Sequence, residues 1–201
     1  MAYFPFFVQI KNKNCLIVGG GIVAARKAET LLNFGCNITV VSPNFCKEIK
    51  QLDNINLVKR DLKFSDLENS FFVIAATNDT GVNSEIGAFC RKKNILVNVV
   101  DVKDECSFIF PSIYKNGDIV AGVTTSGKSP QIASIVRKTI SENVPEYYGD
   151  IVERLGTIRA SLKHTISTQE ERKNILSMVL KEMLMTENKI SDDELEKIIR
   201  G

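Results

Sequence analysis

The chain has 201 residues, 26 basic against 24 acidic side chains, a formal net charge of +2 and 44% apolar residues. That composition supports a real hydrophobic core. It lacks the basic excess expected of a nucleic-acid binder, and no apolar run reaches membrane-spanning length. The apolar start Met1–Phe7 has no basic region and does not read as a secretion signal. Five cysteines (Cys15, Cys36, Cys46, Cys90, Cys106) show no C-x-x-C spacing, which suggests reduced thiols in a cytoplasmic protein rather than disulfides or zinc ligands. The single histidine, His164, leaves little material for imidazole chemistry.

Tyr3 to Ile10 reads as an extended lead-in, followed by a turn at Lys11–Asn14. Cys15 to Val18 is a short, β-branched apolar run that stops at three glycines. Gly19, Gly21 and Ala24 then match the G-x-G-x-x-G/A dinucleotide fingerprint. Gly19 permits the tight turn, Gly21 lets backbone approach a diphosphate, and Ala24 allows close helix–strand packing; a mere tight turn is the simpler alternative. The spacing predicts a helix over Val23–Phe34 with Gly35 as its C-cap. Strands follow at Ile38–Val41, Ile55–Lys59, Phe71–Ala76 and Leu96–Val100, with helices near Cys46–Leu52 and Val82–Arg91. Strands alternating with helices predict a doubly wound parallel sheet of Rossmann type.

After Asp101 the pattern changes. Ser107–Phe110, Ile113–Lys115 and Asp118–Val123 read as strands, the last two forming a hairpin at Asn116-Gly117. Pro130 opens a helix to about Asn143. Only helices follow, with capping-box spacings at Thr168/Glu171 and Ser191/Glu194 and an apolar stripe of Ile175, Leu176, Val179, Leu180, Met183 and Leu184.

Five places carry chemistry. Gly19, Gly21, Ile22 and Val23 in the glycine loop are cofactor contacts, the helix start offering N–H groups to phosphate. Thr77 and Asn78, after an apolar strand, join them where ligands sit in open α/β sheets. At the end of the second strand the usual ribose-binding acid is missing; Ser42, Pro43 and Asn44 stand there with no arginine for a 2′-phosphate, which favours NAD. Asp101 ends a core strand and is either a general base, its pKa raised by burial, or a strand-end aspartate capping the next turn. Asp104 and Glu105 beside it read as solvated. Gly122–Ser129 matches the Walker A pattern literally. Pro130, however, removes an N–H where phosphate would bind, biases Ser129 towards an N-cap, and is followed by no further parallel strands. What remains is a polar loop with Lys128 at a helix start, suited to substrate carboxylates or phosphates.

Taken together, the chain resembles the precorrin-2 dehydrogenases of sirohaem synthesis, including the N-terminal part of bifunctional sirohaem synthases. The resemblance rests on Phe4–Phe7, Cys15–Gly21, Val23–Ala28, Ala75–Asp79, Asn98–Asp101, Ser107–Ser112 and Thr125–Pro130, in order and at near-constant spacing over residues 4 to about 140. It implies NAD-dependent oxidation of precorrin-2 to sirohydrochlorin, with Asp101 in the place of an essential aspartate and tetrapyrrole contacts at Thr125, Ser126, Lys128 and Ser129. Arg137 and Lys138 add positive charge for a substrate rich in carboxylates. Some relatives also insert Fe²⁺ into sirohydrochlorin. No permanent metal site, membrane or nucleic-acid partner is expected. Many relatives carry serine where Thr125 stands, so no modification is carried over to it. The implied architecture is α/β: an NAD-binding Rossmann domain over 1–112, a small α+β dimerisation segment over 113–144 holding a homodimer, and a helical domain over 145–201. The rival is a regulatory NAD-sensing Rossmann module without catalysis. Such modules carry the ribose acid that is missing here and lack the hairpin and the Pro130 helix.

Overall fold

The structure is a computed structural model that describes residues 3–200. Five parallel strands, β1 (Asn14–Val18), β2 (Asn37–Ser42), β3 (Ile55–Lys59), β4 (Phe72–Ala75) and β5 (Leu96–Val99), form a sheet in the order β3-β2-β1-β4-β5. Helices α1 (Ile22–Leu32), α2 (Lys47–Lys50) and α3 (Thr80–Lys92) connect them. β1 and β4 are continuous apolar runs because parallel strands inside such a sheet are buried on both faces. Alternate side chains divide between the faces. Cys15, Ile17, Phe72 and Ile74 pack with Ala24, Ala25, Ala28 and Leu31 of α1. Leu16, Val18, Val73 and Ala75 pack with Ile86 and Cys90 of α3 on the other side. Asn98 of β5 is a buried polar residue in this apolar setting, and its partner shapes the site.

The chain forms two compact units, one up to Phe110 and one from Pro111 onward. The second unit holds an antiparallel hairpin, β6 (Ser112–Asn116) with β7 (Ile119–Val123), then α4 (Pro130–Asn143), α5 (Tyr147–Thr165), α6 (Gln169–Met185) and α7 (Asp192–Arg200). Both expected caps form. Thr168 Oγ1 accepts the Glu171 N–H, and Ser191 and Glu194 exchange side-chain-to-backbone bonds in a full capping box.

Several local expectations are corrected. α1 ends at Leu32 with Asn33 as its cap, and Gly35 (φ +68) lies two residues beyond, its N–H bonded to Leu32 O. α3 starts earlier than expected because Asp79 caps it, Oδ1 accepting the Val82 N–H at 3.1 Å. Ser107–Phe110 is no strand. Side chains close the edge of β5 instead: Ser107 Oγ accepts the Val97 N–H at 2.7 Å and Cys106 Sγ the Val99 N–H at 3.1 Å. In the hairpin, Asn116 pairs with Ile119, so Gly117 and Asp118 form the two-residue turn. Only the first of these has positive φ, the pattern of a type II′ turn rather than one centred on Asn-Gly. The α6 stripe is narrower than its six apolar residues suggest. Ile175, Val179 and Met183 are buried, while Leu180 and Leu184 are exposed.

Candidate functional site

Strand order reverses at β1, between β2 and β4. A cleft of about 550 Å³ opens there at the carboxyl ends of the strands, where ligands bind in open α/β sheets. Its floor is the glycine loop. Gly19 adopts φ +116, and a Cβ on it would overlap the Ala76 carbonyl oxygen. Gly20, which the fingerprint leaves open, is equally constrained. Its Cβ would overlap the Asn44 carbonyl oxygen and crowd Ser42 Oγ at 2.9 Å, while its own carbonyl accepts the Cys46 N–H at 2.8 Å. Gly21 differs from both: a Cβ there meets nothing within 4 Å. The space in front of Gly21 belongs to the cleft, and Gly21 caps α1 without a side chain. The first bond into α1 is Ala25 N–H to Gly21 O, so the Ile22 and Val23 amides have no acceptor among the described residues. Those amides and the helix dipole suit a diphosphate. The Ile22 and Val23 side chains are 50% and 45% exposed and do not line the cleft, so any role for these residues lies in their backbone.

Ser42, Pro43, Asn44, Thr77 and Asn78 all line the cleft. Ser42 is buried and Asn78 is exposed. The Thr77 side chain, however, is held by its own loop. Its hydroxyl lies 2.8 Å from Asn83 Oδ1 and accepts the Asp79 N–H at 3.1 Å. Buried Asn83 also accepts the Thr77 N–H and donates to the Thr77 carbonyl. Asn83 therefore shapes this wall from beneath, a role that a polar residue inside an otherwise apolar helix face hints at in the sequence. Asp79, the last residue of the Ala75–Asp79 segment, and Asp61, passed over in the sequence, line the cleft as well, whereas no lysine or arginine among the described residues does. Uncapped amides, open space before Gly21 and a wall without cations fit a dinucleotide that carries no 2′-phosphate.

Asp101 does not line this cleft; it follows β5, the next strand beyond β4. It is exposed, so the expected burial of its carboxylate is not found, and it adopts φ +63, a left-handed conformation that is uncommon outside glycine. Behind it, Lys27 of α1 donates from Nζ to Asn98 Oδ1 at 3.0 Å and stands 4.1 Å from the centroid of the Phe110 ring. Burial pushes the Lys27 ammonium down to about 8, with the Cys106 and Asp101 charges pulling it back up. Lys27 lies on the α1 face that carries Ala24, Ala28 and Leu31, and a lysine inside an apolar stripe was the signal available for it in the sequence. Glu105 is not the solvated residue expected, because its Oε2 is buried without a hydrogen-bond partner.

In the second unit, the β7–α4 loop brings Thr125 and Ser129 together. Thr125 Oγ1 donates to Ser129 O at 2.9 Å and accepts the Ser129 N–H at 3.0 Å. Ser129 is the α4 N-cap, its Oγ accepting the Ile132 N–H, with Pro130 as the first helical residue. Ser126 and Gly127 take positive φ. Two of the four expected substrate side chains thus hold the loop itself, while the Ser126 hydroxyl and the exposed Lys128 ammonium have no hydrogen bond or ion pair among the described residues. Among the described residues β7 pairs only with antiparallel β6, which does not fit the parallel sheet of a P-loop nucleotidase.

Known proteins share much of this sequence and its fold. The siroheme synthase of Nitrosomonas eutropha is 40% identical over 177 residues, covering 86% of this chain and 37% of that protein. The siroheme synthase of Ruthia magnifica is 34% identical over 176 residues, covering the same shares. The chain thus spans little more than a third of the length of these curated relatives. Among solved structures, SirC, a precorrin-2 dehydrogenase, shares the fold with a TM-score of 0.75 at 23% identity, covering 98% of both chains. Residues 6–112 match the family model described as "Putative NAD(P)-binding". The span matched holds the glycine loop, the cleft and Asp101, and the chain belongs to this NAD(P)-binding family.

Proposed function

We propose that the chain is a precorrin-2 dehydrogenase that uses NAD and forms sirohydrochlorin in sirohaem synthesis. The observation that carries this reading is the uncapped start of α1 behind the open space at Gly21, in a cleft lined by no cation. The relatives named as siroheme synthases, which match over most of this chain, supply the substrate class. NAD, when bound, accepts the hydride. The Ile22 and Val23 amides hold the diphosphate, Ser42, Pro43 and Asn44 flank the ribose, and Asn78 with the Thr77 backbone meets the nicotinamide half. Asp101 accepts the proton that the tetrapyrrole releases from a different atom, a conjugated C–H or N–H, as the new double bond forms. Its left-handed backbone supports this role, since strained conformations gather at functional sites. Lys128, with Thr125, Ser126 and Ser129 shaping its loop, binds carboxylates of the tetrapyrrole.

The chain works as a homodimer. Ile132, Ile135 and Val136 of α4 are 51%, 57% and 42% exposed, an apolar face within the segment 113–144 expected to pair. Five free thiols suit a reducing, cytoplasmic compartment.

The test is NADH formation from precorrin-2 and NAD⁺ by the purified protein. Gly21→Asp keeps the fold, because aspartate is a good N-cap and the space is open, yet sets a negative charge against the diphosphate. It abolishes NAD⁺ binding. Asp101→Asn binds both ligands and loses ~10²–10⁴-fold in rate. Unchanged NAD⁺ affinity in Gly21→Asp sinks the cofactor site. NAD⁺ binding without turnover by the unaltered protein returns the sensing module.

A further inference from the structure

The acid missing from the end of β2 has a counterpart one strand away. β2 and β3 run in parallel register with Ser42 opposite Lys59, so Pro43-Asn44 and Arg60-Asp61 leave the sheet side by side. Asp61 and Leu62 both line the cleft. Asp61 is exposed, and its carboxylate has no hydrogen-bond or ion-pair partner among the described residues. The other carboxylate in the wall, Asp79, is engaged at the start of α3. The segment carrying Asp61 is held in place. Arg60 forms a two-pronged bond to Asp66 at 2.7 and 2.8 Å and donates to the Asp61 carbonyl at 2.9 Å, while Asp66 also accepts the Lys63 N–H at 3.0 Å. The same bonds engage the Arg60 guanidinium, which does not line the cleft.

From this placement we infer that Asp61 and Leu62 form the base-recognition subsite of the cleft: the Asp61 carboxylate accepts the exocyclic amine of adenine, and Leu62 packs against the ring. This rests on the cleft being the dinucleotide site. Distance assigns the base rather than the ribose. The diphosphate belongs at α1, next to β1, and the ribose at the end of β2. β3 lies two strand spacings, about 10 Å, from β1, which places its end beyond the ribose. A bare carboxylate there selects a donor. Adenine offers an N–H₂ group at this edge, whereas hypoxanthine presents a carbonyl oxygen that repels the carboxylate.

Calorimetric affinities for NAD⁺ and for nicotinamide hypoxanthine dinucleotide test the subsite. The unaltered protein prefers NAD⁺ by about 10-fold, the size of one hydrogen bond to a charged acceptor. Asp61→Ala loses that preference. Asp61→Asn, whose amide can donate to the hypoxanthine carbonyl, levels or reverses it. Both variants keep the Arg60–Asp66 bonds and the Asp61 backbone contact, so their folds should hold, as checked by circular dichroism. If NAD⁺ binds but its preference survives in both variants, or is absent from the unaltered protein, the subsite is wrong and the cleft assignment stands. A change confined to the NAD⁺/NADP⁺ ratio overturns it in favour of a ribose contact. Failure of the unaltered protein to bind either dinucleotide overturns the cleft assignment and the subsite with it.

Discussion

Lys27 gives the fold a measurable dependence on alkaline pH. In the unfolded chain its ammonium titrates near 10.5; in the fold, burial brings it down to about 8. Below pH 8 both states hold the proton and the difference is flat. Between the two values the unfolded state binds the proton and the native state does not, so stability rises with pH. The favourable contribution is complete above the unfolded value and is lost as pH falls through about 8. Each pH unit in this window is worth about 1.4 kcal/mol, so the gain from pH 8 to 9.5 is about 2 kcal/mol. Buried thiols work in the opposite sense. Burial raises Cys15 strongly and Cys90 to about 11, so their unfolded forms lose protons first. The measurement is therefore a difference: urea unfolding of the unaltered protein and of Lys27→Met at pH 7.5, 8, 8.5, 9 and 9.5. The variant leaves Asn98 Oδ1 without its lysine partner at every pH, a constant offset of about 1–3 kcal/mol that does not alter the slope. A stability difference that stays level from pH 7.5 to 9.5 would show that Lys27 is not held as a desolvated amine.

Gly19→Ala forces a side chain into φ +116 against the Ala76 carbonyl, so urea unfolding should show a loss of at least about 1–3 kcal/mol. Gly21→Ala, with open space around its Cβ, should leave the unfolding midpoint nearly unchanged; equal losses in the two variants would contradict the asymmetric loop. Ser191→Ala removes the hydroxyl half of the α7 capping box and should cost about 1 kcal/mol in thermal unfolding, with fraying confined to α7 in hydrogen exchange. Ile135→Glu places a charge on the exposed apolar face of α4 and should convert a dimer to monomer in light scattering, while an unaltered protein that is already monomeric refutes the proposed pairing face.

The sequence alone determined the parts of this protein that depend on neighbouring residues. Continuous apolar runs at Cys15–Val18 and Phe72–Ala75 define buried parallel strands, and the glycine run, Ser129-Pro130 and the Thr168 and Ser191 boxes mark helix starts, because capping and backbone freedom act within a few residues. The cleft was legible at Gly19, Gly21, Ser42–Asn44 and Thr77–Asn78 for the same reason: each follows a strand the pattern already announces. What only the tertiary structure decided are the pairings between segments distant in the chain. Lys27 meets Asn98 across 71 positions, Ser107 and Cys106 replace a sixth strand along β5, and Gly20 is fixed by the Asn44 carbonyl, which no local pattern encodes. Asp61 shows the difference most clearly. In sequence it lies far from the fingerprint, after an unremarkable edge strand, and the acid expected at the end of β2 is absent. Parallel register places β3 beside β2, and that lateral neighbour relation brings a carboxylate to the wall of the same cleft.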